Sequence, residues 1–470
     1  MATASGNPRP LAADADGTIP LYAKRETIYQ KEVMGWFQRL RAIALFVLAG
    51  VFLVGPWLTW GERQAIWFDV PARHFHLLGL TFWPQDFIFL SWMLIIATFA
   101  LFLFTTIAGR LWCGYACPQT IWTKLFMWIE WLTEGDRNQR MRLDRRAWST
   151  GKLGRKLAKH TLWLLVAAVV GTTFVGYFLP IRTLLPRIGT LDLGLGEMIF
   201  LAVASLALYA DAGWMREQIC TYVCPYARFQ GAMFDPATFT IFYDRARGEP
   251  RGHRSRTTDP VAVQLGACVD CGLCVQVCPT GIDIRNGTQS ECIGCAACID
   301  VCDQVMDEMQ YPRGLVRYAT EESLAGIPTR ILRPRVLAYG TMLVVMSTLF
   351  VYMLAQRVPF DVDVLRDRAR LYRLTAEGAI ENVYTLKIMN KDQQPHAYRI
   401  AVEPETFEMS APESVEVAAG EIVAVPVRVR VPSEPAPPPS AAVTFRIWRT
   451  DDPTRTLHEA SRFLAPRPES

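Results

Sequence analysis

Five uncharged apolar stretches punctuate the chain, at residues 42–60, 87–108, 161–179, 198–210 and 336–354. Crossing the hydrocarbon core takes about 20 apolar residues. The fourth stretch, bounded by Glu197 and Asp211, is short and must borrow from its flanks. The pattern therefore predicts five spans. The first 40 residues are polar and the first apolar run carries no small-residue cleavage site, so that run is expected to act as a signal anchor. From Asp361 onward the pattern changes to short alternating runs, at 383–389, 398–402, 422–431 and 442–448, broken by Pro, Gly and Asn. Period-2 alternation with turn residues between the runs predicts a β-sandwich. A proline-rich stretch at 432–439 reads as a stiff loop within it.

Basic residues orient the spans. Residues 110–159 hold eleven Lys or Arg, whereas 61–84 hold only Arg63 and Arg73. Residues 214–335 carry thirteen, against Arg182 and Arg187 in 180–193. The bias toward positive loops on the cytoplasmic side puts the N-terminus and both basic segments there. An odd number of spans then leaves everything after Leu354 on the far side. That far domain has fourteen basic and seventeen acidic residues from Asp361 on and no cysteine. Nothing in it looks catalytic, and it reads as a docking module.

All twelve cysteines fall between Cys113 and Cys302, in segments assigned to the reducing side, so they are expected as thiolates instead of disulfides. Eight of them form two runs of C-x-x-C-x-x-C-x-x-x-C: Cys268, Cys271, Cys274 and Cys278, then Cys292, Cys295, Cys298 and Cys302. That is the signature of a two-cluster ferredoxin, in which three cysteines of one run and the last of the other hold each cubane. Cluster one would use Cys268, Cys271, Cys274 and Cys302; cluster two would use Cys292, Cys295, Cys298 and Cys278. Structural zinc is the weaker alternative, because zinc ribbons use separated C-x-x-C pairs. Pro279 follows Cys278 as the pattern asks, but Asp303 follows Cys302, and a carboxylate there is expected to make cluster one harder to reduce.

The other four cysteines make two C-x-Y-x-C-P motifs, Cys113 to Pro118 and Cys220 to Pro225. Each follows an even-numbered span and a basic residue, Arg110 or Arg216, so spans one and two with their motif repeat as spans three and four. If the last turn of each span continues, cysteines four apart share a helical face, and two such ends side by side would gather four thiols. Soft thiolates suit Cu(I), zinc or an iron–sulfur cluster, and the spacing does not choose among them. His74 and His76 could bind copper or haem, but two histidines without a third partner are weak evidence for a site. Glu197 and Asp211 are expected as interfacial capping residues instead of proton carriers.

Composition agrees: 51% hydrophobic, 20% charged and a mean hydropathy of +0.15 over 470 residues exclude disorder and an ordinary soluble enzyme. The net charge of +4, with no base-reading motif, excludes nucleic acid as a partner.

In the combination of repeated C-x-x-x-C-P motifs, a two-cluster ferredoxin segment and a last span leading to an immunoglobulin-like domain, the chain resembles the CcoG/FixG/RdxA family of cytochrome c oxidase accessory proteins. The fold class expected is a polytopic α-helical membrane protein with a cytoplasmic ferredoxin-like insert holding two [4Fe-4S] clusters and a C-terminal immunoglobulin-like β-sandwich. The expected organisation is a polar N-terminus (1–38), a four-span domain (39–215), the second motif with a linker (216–260), the ferredoxin domain (261–310), a linker (311–335), the fifth span (336–356) and a periplasmic domain (357–470). The resemblance implies a bacterial inner-membrane protein that reduces Cu(II) to Cu(I) in the cytoplasm for assembly of cbb3-type oxidase. Cys113, Cys117, Cys220 and Cys224 would then be the reducing, copper-holding residues. Implied partners are lipid, a cytoplasmic electron donor, a copper chaperone or transporter, and oxidase assembly factors. A homodimer is compatible with the sequence, though no motif asks for one. Two alternatives remain open: a quinol dehydrogenase like the NapH family, which resembles the first four spans and the ferredoxin segment, and a non-catalytic assembly scaffold.

Overall fold

The computed structural model describes residues 27–61, 63–258, 264–376, 378–432 and 437–466. Most of the polar N-terminal segment, and residues 433–436 of the proline-rich stretch, lie outside them. Among the described residues, five helices are long and apolar enough to cross a membrane: Trp36–Trp57, Pro84–Ala108, Thr150–Val175, Leu195–Met215 and Pro334–Ala355. The chain divides into two compact units, one comprising residues up to 56 with 94–347, the other 57–93 with 348–470.

In the first unit, the third and fourth spans extend beyond their apolar stretches, the third at its start and the fourth at its end. The third starts at Thr150, where Ser149 caps it by accepting from the Lys152 amide. Its first turns are basic. They are accommodated because Lys156 and Lys159 lie 3.0 and 2.9 Å from Glu134, so the charges are paired instead of bare. The fourth span gains its missing length at the C-terminal end, where the chain widens into a π-type turn over Tyr209–Met215 that contains Asp211.

The ferredoxin segment is fastened to these helices by backbone contacts. Strands Thr240–Tyr243 and Val316–Ala319 pair antiparallel and close its two ends together. The Gln30 side chain donates to the Val277 carbonyl at 2.7 Å, and the Lys31 amide to the Gln276 carbonyl at 2.8 Å. The first span has no capping side chain of its own. Asp300, on the ferredoxin helix Ala297–Met309, supplies one: its carboxylate accepts from the amides of Phe37 at 3.1 Å and Gln38 at 2.7 Å. A carboxylate on the unpaired amides of a helix start is favourable both as a hydrogen-bond acceptor and against the helix dipole.

In the second unit, two antiparallel sheets build the sandwich. One runs Glu408–Ser410, Ile422–Val431, Ile380–Asn390, Phe360–Arg366, with Arg373–Leu374 also on Ile380–Asn390; the other runs Val415–Val417, His396–Glu403, Ser440–Arg449, Thr456–Leu464. Alternate residues of both sheets point inward, and Phe360, Tyr384, Tyr398, Phe445 and Phe463 are fully buried between them. The same unit holds a small sheet of Ile66–Asp69, His74–Leu77 and Leu80–Phe82. Asp86 ties this segment to the sandwich through Arg357 at 2.5 Å and the buried Lys391 at 3.3 Å, two cations on one buried carboxylate.

Candidate iron–sulfur and thiol centres

The eight ferredoxin cysteines gather into two cavities. Cys268, Cys271, Cys274 and Cys302 line one; Cys278, Cys292, Cys295 and Cys298 line the other, and Cys274 stands on the wall of both. Each set takes three sulfurs from one run and the fourth from the other. The local backbone explains how three come together. Around the middle cysteine of each run the chain alternates through left-handed conformations, Asp270 and Gly272 about Cys271, Gly294 and Ala296 about Cys295, before entering the helices Leu273–Gln276 and Ala297–Met309. That turn aims successive thiols at one point, and the helix carries the last cysteine of its run toward the other set.

Burial pushes Cys274, Cys292 and Cys302 up to about 12, and Cys298 well above the ordinary thiol value. Such thiols give up their protons only to a metal that repays the buried charge. The amides of Thr280 and Ile282 donate to Cys278, and Arg285 lies near Cys274, both favouring the thiolate. The Asp303 carboxylate accepts from the Gly314 amide at 2.9 Å. Soft donors in sets of four, with amides and an arginine directed at them, fit iron–sulfur cubanes.

The two C-x-Y-x-C-P motifs also come together, though not by continuing their spans. The second span breaks at Gly109, with φ +54°, and a separate short helix Leu111–Tyr115 carries Cys113. The fourth breaks at Arg216, with φ +42°, and a π-type turn Ile219–Val223 carries Cys220. Cys117 and Cys224 sit at the N-caps of the next helices, Pro118–Glu134 and Pro225–Met233, with proline at the first helical position. Each repeat holds the other by its arginine. Arg110 donates to the Ala227 carbonyl at 2.8 Å, on the helix after the second motif; Arg216 reaches Glu130 at 2.6 Å, on the helix after the first. Glu130 also receives Arg140 at 2.8 Å. Burial opposes its charge, yet Arg216, Arg140 and Lys159 hold its carboxyl below the usual range.

All four of these thiols lie within electrostatic reach of one another, and Gln230, wholly buried, donates to the Cys113 sulfur at 3.4 Å. Burial pushes Cys113 up to about 11 and Cys220 to about 12, and raises Cys117. Cys113 and Cys220 pack in one apolar cluster with Cys295, Ile293 and Val277 of the second ferredoxin set. The twinned arginines were visible in the sequence as basic residues before each motif. Gln230 and Asp300 carried no such signal, since each acts across a fold contact far apart in sequence.

The remaining candidates behave as structural residues. His76 is buried, its Nδ1 is 3.0 Å from the Thr81 hydroxyl, and burial, with Arg63 and His74 nearby, pushes it down to about 4. His74 packs on Trp83 at 4.0 Å. Glu197 accepts from the Gly194 amide at 3.0 Å and pairs with Arg187, as a capping residue does. Among the described residues, no three His, Cys, Asp or Glu side chains converge closely enough to hold a single metal ion.

Three family profiles match the chain: a 4Fe-4S binding domain at residues 90–134, a 4Fe-4S dicluster domain at 215–321, and the IG-like fold at the C-terminal of FixG at 350–466. Protein RdxB of Cereibacter sphaeroides is 40% identical over 423 residues, covering 87% of this chain and 88% of its own. Protein RdxA of the same organism is 38% identical, covering 92% and 95%. The nitrogen fixation protein FixG of Rhizobium meliloti is 34% identical, covering 82% and 80%. With four apolar helices, two four-cysteine ferredoxin sets, a fifth apolar helix and an immunoglobulin-like sandwich in that order, the chain belongs to the FixG/RdxA family of membrane iron–sulfur electron-transfer proteins.

Proposed function

We propose that this protein reduces Cu(II) to Cu(I) on the cytoplasmic face of the bacterial inner membrane, supplying Cu(I) for assembly of cbb3-type cytochrome c oxidase. The observation that carries the reading is the packing of Cys113 and Cys220 against Cys295 and Ile293, which sets one soft donor of each motif directly beside the second ferredoxin set. Cubanes bound by the two ferredoxin sets supply single electrons. Cys271, the exposed cysteine of the eight, marks where a cytoplasmic donor delivers them. One electron converts one Cu(II), which favours nitrogen and oxygen ligands, to Cu(I), which favours sulfur. Copper is taken up next to Cys113, Cys117, Cys220 and Cys224 and leaves toward a chaperone or transporter. The charge bias of the loops supports the cytoplasmic assignment, and the sandwich then faces the periplasm, where it docks assembly partners.

The test is replacement of these four cysteines by serine. Copper binding and copper reduction should fall while both ferredoxin cluster spectra persist; unchanged copper stoichiometry rejects the proposal. A second reading, quinol oxidation, is favoured by one feature. A mostly apolar cavity of about 80 Å³ is walled by Leu45 and Trp128 and also by Tyr115, Lys124, Cys220 and Cys295. Cluster reduction by quinol in purified protein, without copper turnover, would select that reading.

A further inference from the structure

We propose that the arginine-rich strip from Arg245 to Arg256 is the docking surface for the electron donor, and that this donor is a small soluble one-electron carrier whose redox centre is ringed by carboxylates. The inference rests on the reading above, in which a cytoplasmic donor delivers electrons at Cys271. It adds what recognises that donor and the chemistry the donor must present.

The strip lies between strand Thr240–Tyr243 and the first cysteine run, and residues 244–256 hold five arginines against two carboxylates, Asp244 and Glu249. Backbone hydrogen bonds lace it onto the wall of the first cluster cavity. The Ala267 amide donates to the Arg247 carbonyl at 2.8 Å, the Gly266 amide to the Pro250 carbonyl at 2.8 Å, and the Gly252 amide to the Cys268 carbonyl at 3.3 Å. Gly248 and Gly266 approach so closely that a Cβ at position 266 would lie 2.5 Å from the Gly248 carbonyl carbon. The strip is thereby fixed beside Cys268, and the exposed Cys271 belongs to the same four-sulfur set.

What the arginines bind decides the charge of this surface. Arg245 donates to the Arg285 carbonyl, and Arg247 to the carbonyls of Pro312 and Arg313. Arg254 donates to the Gly266 carbonyl at 2.6 Å, the Cys268 carbonyl at 3.3 Å and the Tyr311 hydroxyl at 3.1 Å. Among the described residues, none of these three has a carboxylate partner. Carbonyls satisfy the N–H groups of a guanidinium without cancelling its charge, and a guanidinium stays protonated at any working pH. Nearby carboxylates are engaged by other cations: Asp283 and Asp270 by Arg285, Glu249 by Arg251 at 3.6 Å, and Asp244 by Arg317 at 3.0 Å. Three positive charges are left without a counter-charge beside the exposed ligand, and the exposed Arg256 extends the strip.

Fixed charge of one sign around an electron entry point suits a brief encounter. Electron-transfer interfaces are small and weak, so carriers bind, deliver and leave, and long-range attraction sets their rate more than buried area does. A surface of one sign speeds association with a partner of the opposite sign by about 10- to 1,000-fold at low salt. The complement of Arg245, Arg247 and Arg254 is a ring of carboxylates on the carrier. The step is balanced: the carrier loses one electron, the protein gains it at the first ferredoxin set, and no bond is made or broken. Anionic lipid is the other candidate for a basic surface. The strip's contacts favour the carrier, because they run to the ferredoxin segment and the residues just after it. Arg333, by contrast, braces the spans, donating to the carbonyls of Thr106 and Ala237.

The test uses the full-length protein with its clusters in place, in nanodiscs, and an acidic flavodoxin as the probe. Two readouts are taken without copper: the dissociation constant for oxidised flavodoxin by thermophoresis, and the second-order rate at which photoreduced flavodoxin reduces the clusters in stopped-flow. Both should weaken as salt rises, and Arg245→Glu combined with Arg256→Glu should weaken each by about tenfold at low salt. Reduced methyl viologen, a cation, should reduce the same variant faster than the wild type. A misfolded variant would lose on both reductants, so the opposite signs isolate the surface charge. Flavodoxin binding and rates that ignore both salt and the two reversals overturn the docking surface and leave copper reduction standing. A charge dependence seen in zwitterionic nanodiscs and abolished in nanodiscs of anionic lipid assigns the strip to lipid and overturns it as well. Charge-dependent reduction by flavodoxin with no Cu(I) formed from Cu(II) sustains the docking surface and rejects the copper reading.

Discussion

The carbonyl oxygen of Gly294 lies so near Gly114 that a Cβ at position 114 would sit 2.8 Å from it. Tyr318 donates to that same carbonyl at 2.6 Å, fixing it in place. Gly114 is the second residue of the first C-x-Y-x-C-P motif, and Gly294 precedes Cys295 in the second ferredoxin set. The two thiol regions are therefore in backbone contact, with no side chain between them, and short separation is what single-electron transfer between them requires.

Gly114→Val should force these backbones apart. Overpacking of this kind costs about 1–3 kcal/mol, felt as a lower melting temperature in detergent. The ferredoxin sets keep all their ligands, so their spectra should be unchanged while electron transfer from reduced clusters to Cu(II) slows in stopped-flow. A variant that transfers electrons at the wild-type rate would show that the contact is not on the electron path.

Crossed ligation makes a prediction of identity. Cys302→Ser should remove the same EPR signal as Cys268→Ser, although the residues belong to different runs, and Cys278→Ser should remove the signal lost in Cys292→Ser. Pairing by run instead of by cavity would contradict the placement of Cys302 with Cys268, Cys271 and Cys274.

Glu130 predicts a pH dependence. Its carboxyl is held below the ordinary value by Arg216, Arg140 and Lys159 despite burial. A depressed carboxyl contributes stability that is fully present above its unfolded value, about 4.3, and is lost as the pH falls through the folded one. Melting temperature should therefore fall on acidification below about pH 4.3, and Glu130→Gln should flatten that slope. Arg216→Ala leaves Arg140 on the same carboxylate, so at neutral pH it should cost less than the about 3–5 kcal/mol of an unpaired buried charge.

The architecture was legible because its signals are local. Apolar runs of span length, alternation after Asp361 and the two four-cysteine runs each state their own geometry. Span ends were less legible. Lys152, Lys156 and Lys159 look like loop residues until Glu134 and the Asp144 and Arg146 carbonyls neutralise or accept them. Continuation of the spans through the C-x-Y-x-C-P motifs failed for a backbone reason: Gly109 and Arg216 enter left-handed conformations that end the helices first. At Arg216 nothing in the residue type announces it, and its contact with Glu130 spans 86 positions. The gathering of four thiols followed from the repeat; the N-cap placement of Cys117 and Cys224, and the Asp300 cap on the first span, depend on pairings between distant segments.

The central claim, electron flow from the ferredoxin clusters to copper, is tested most directly by anaerobic titration of the fully reduced protein with Cu(II). Cluster absorbance and Cu(I), the latter trapped by a chromogenic chelator, should be followed together. The account predicts that bleached cluster absorbance recovers as Cu(I) appears, one Cu(I) per electron released, until the clusters are oxidised. Clusters that stay reduced while Cu(II) accumulates would contradict it.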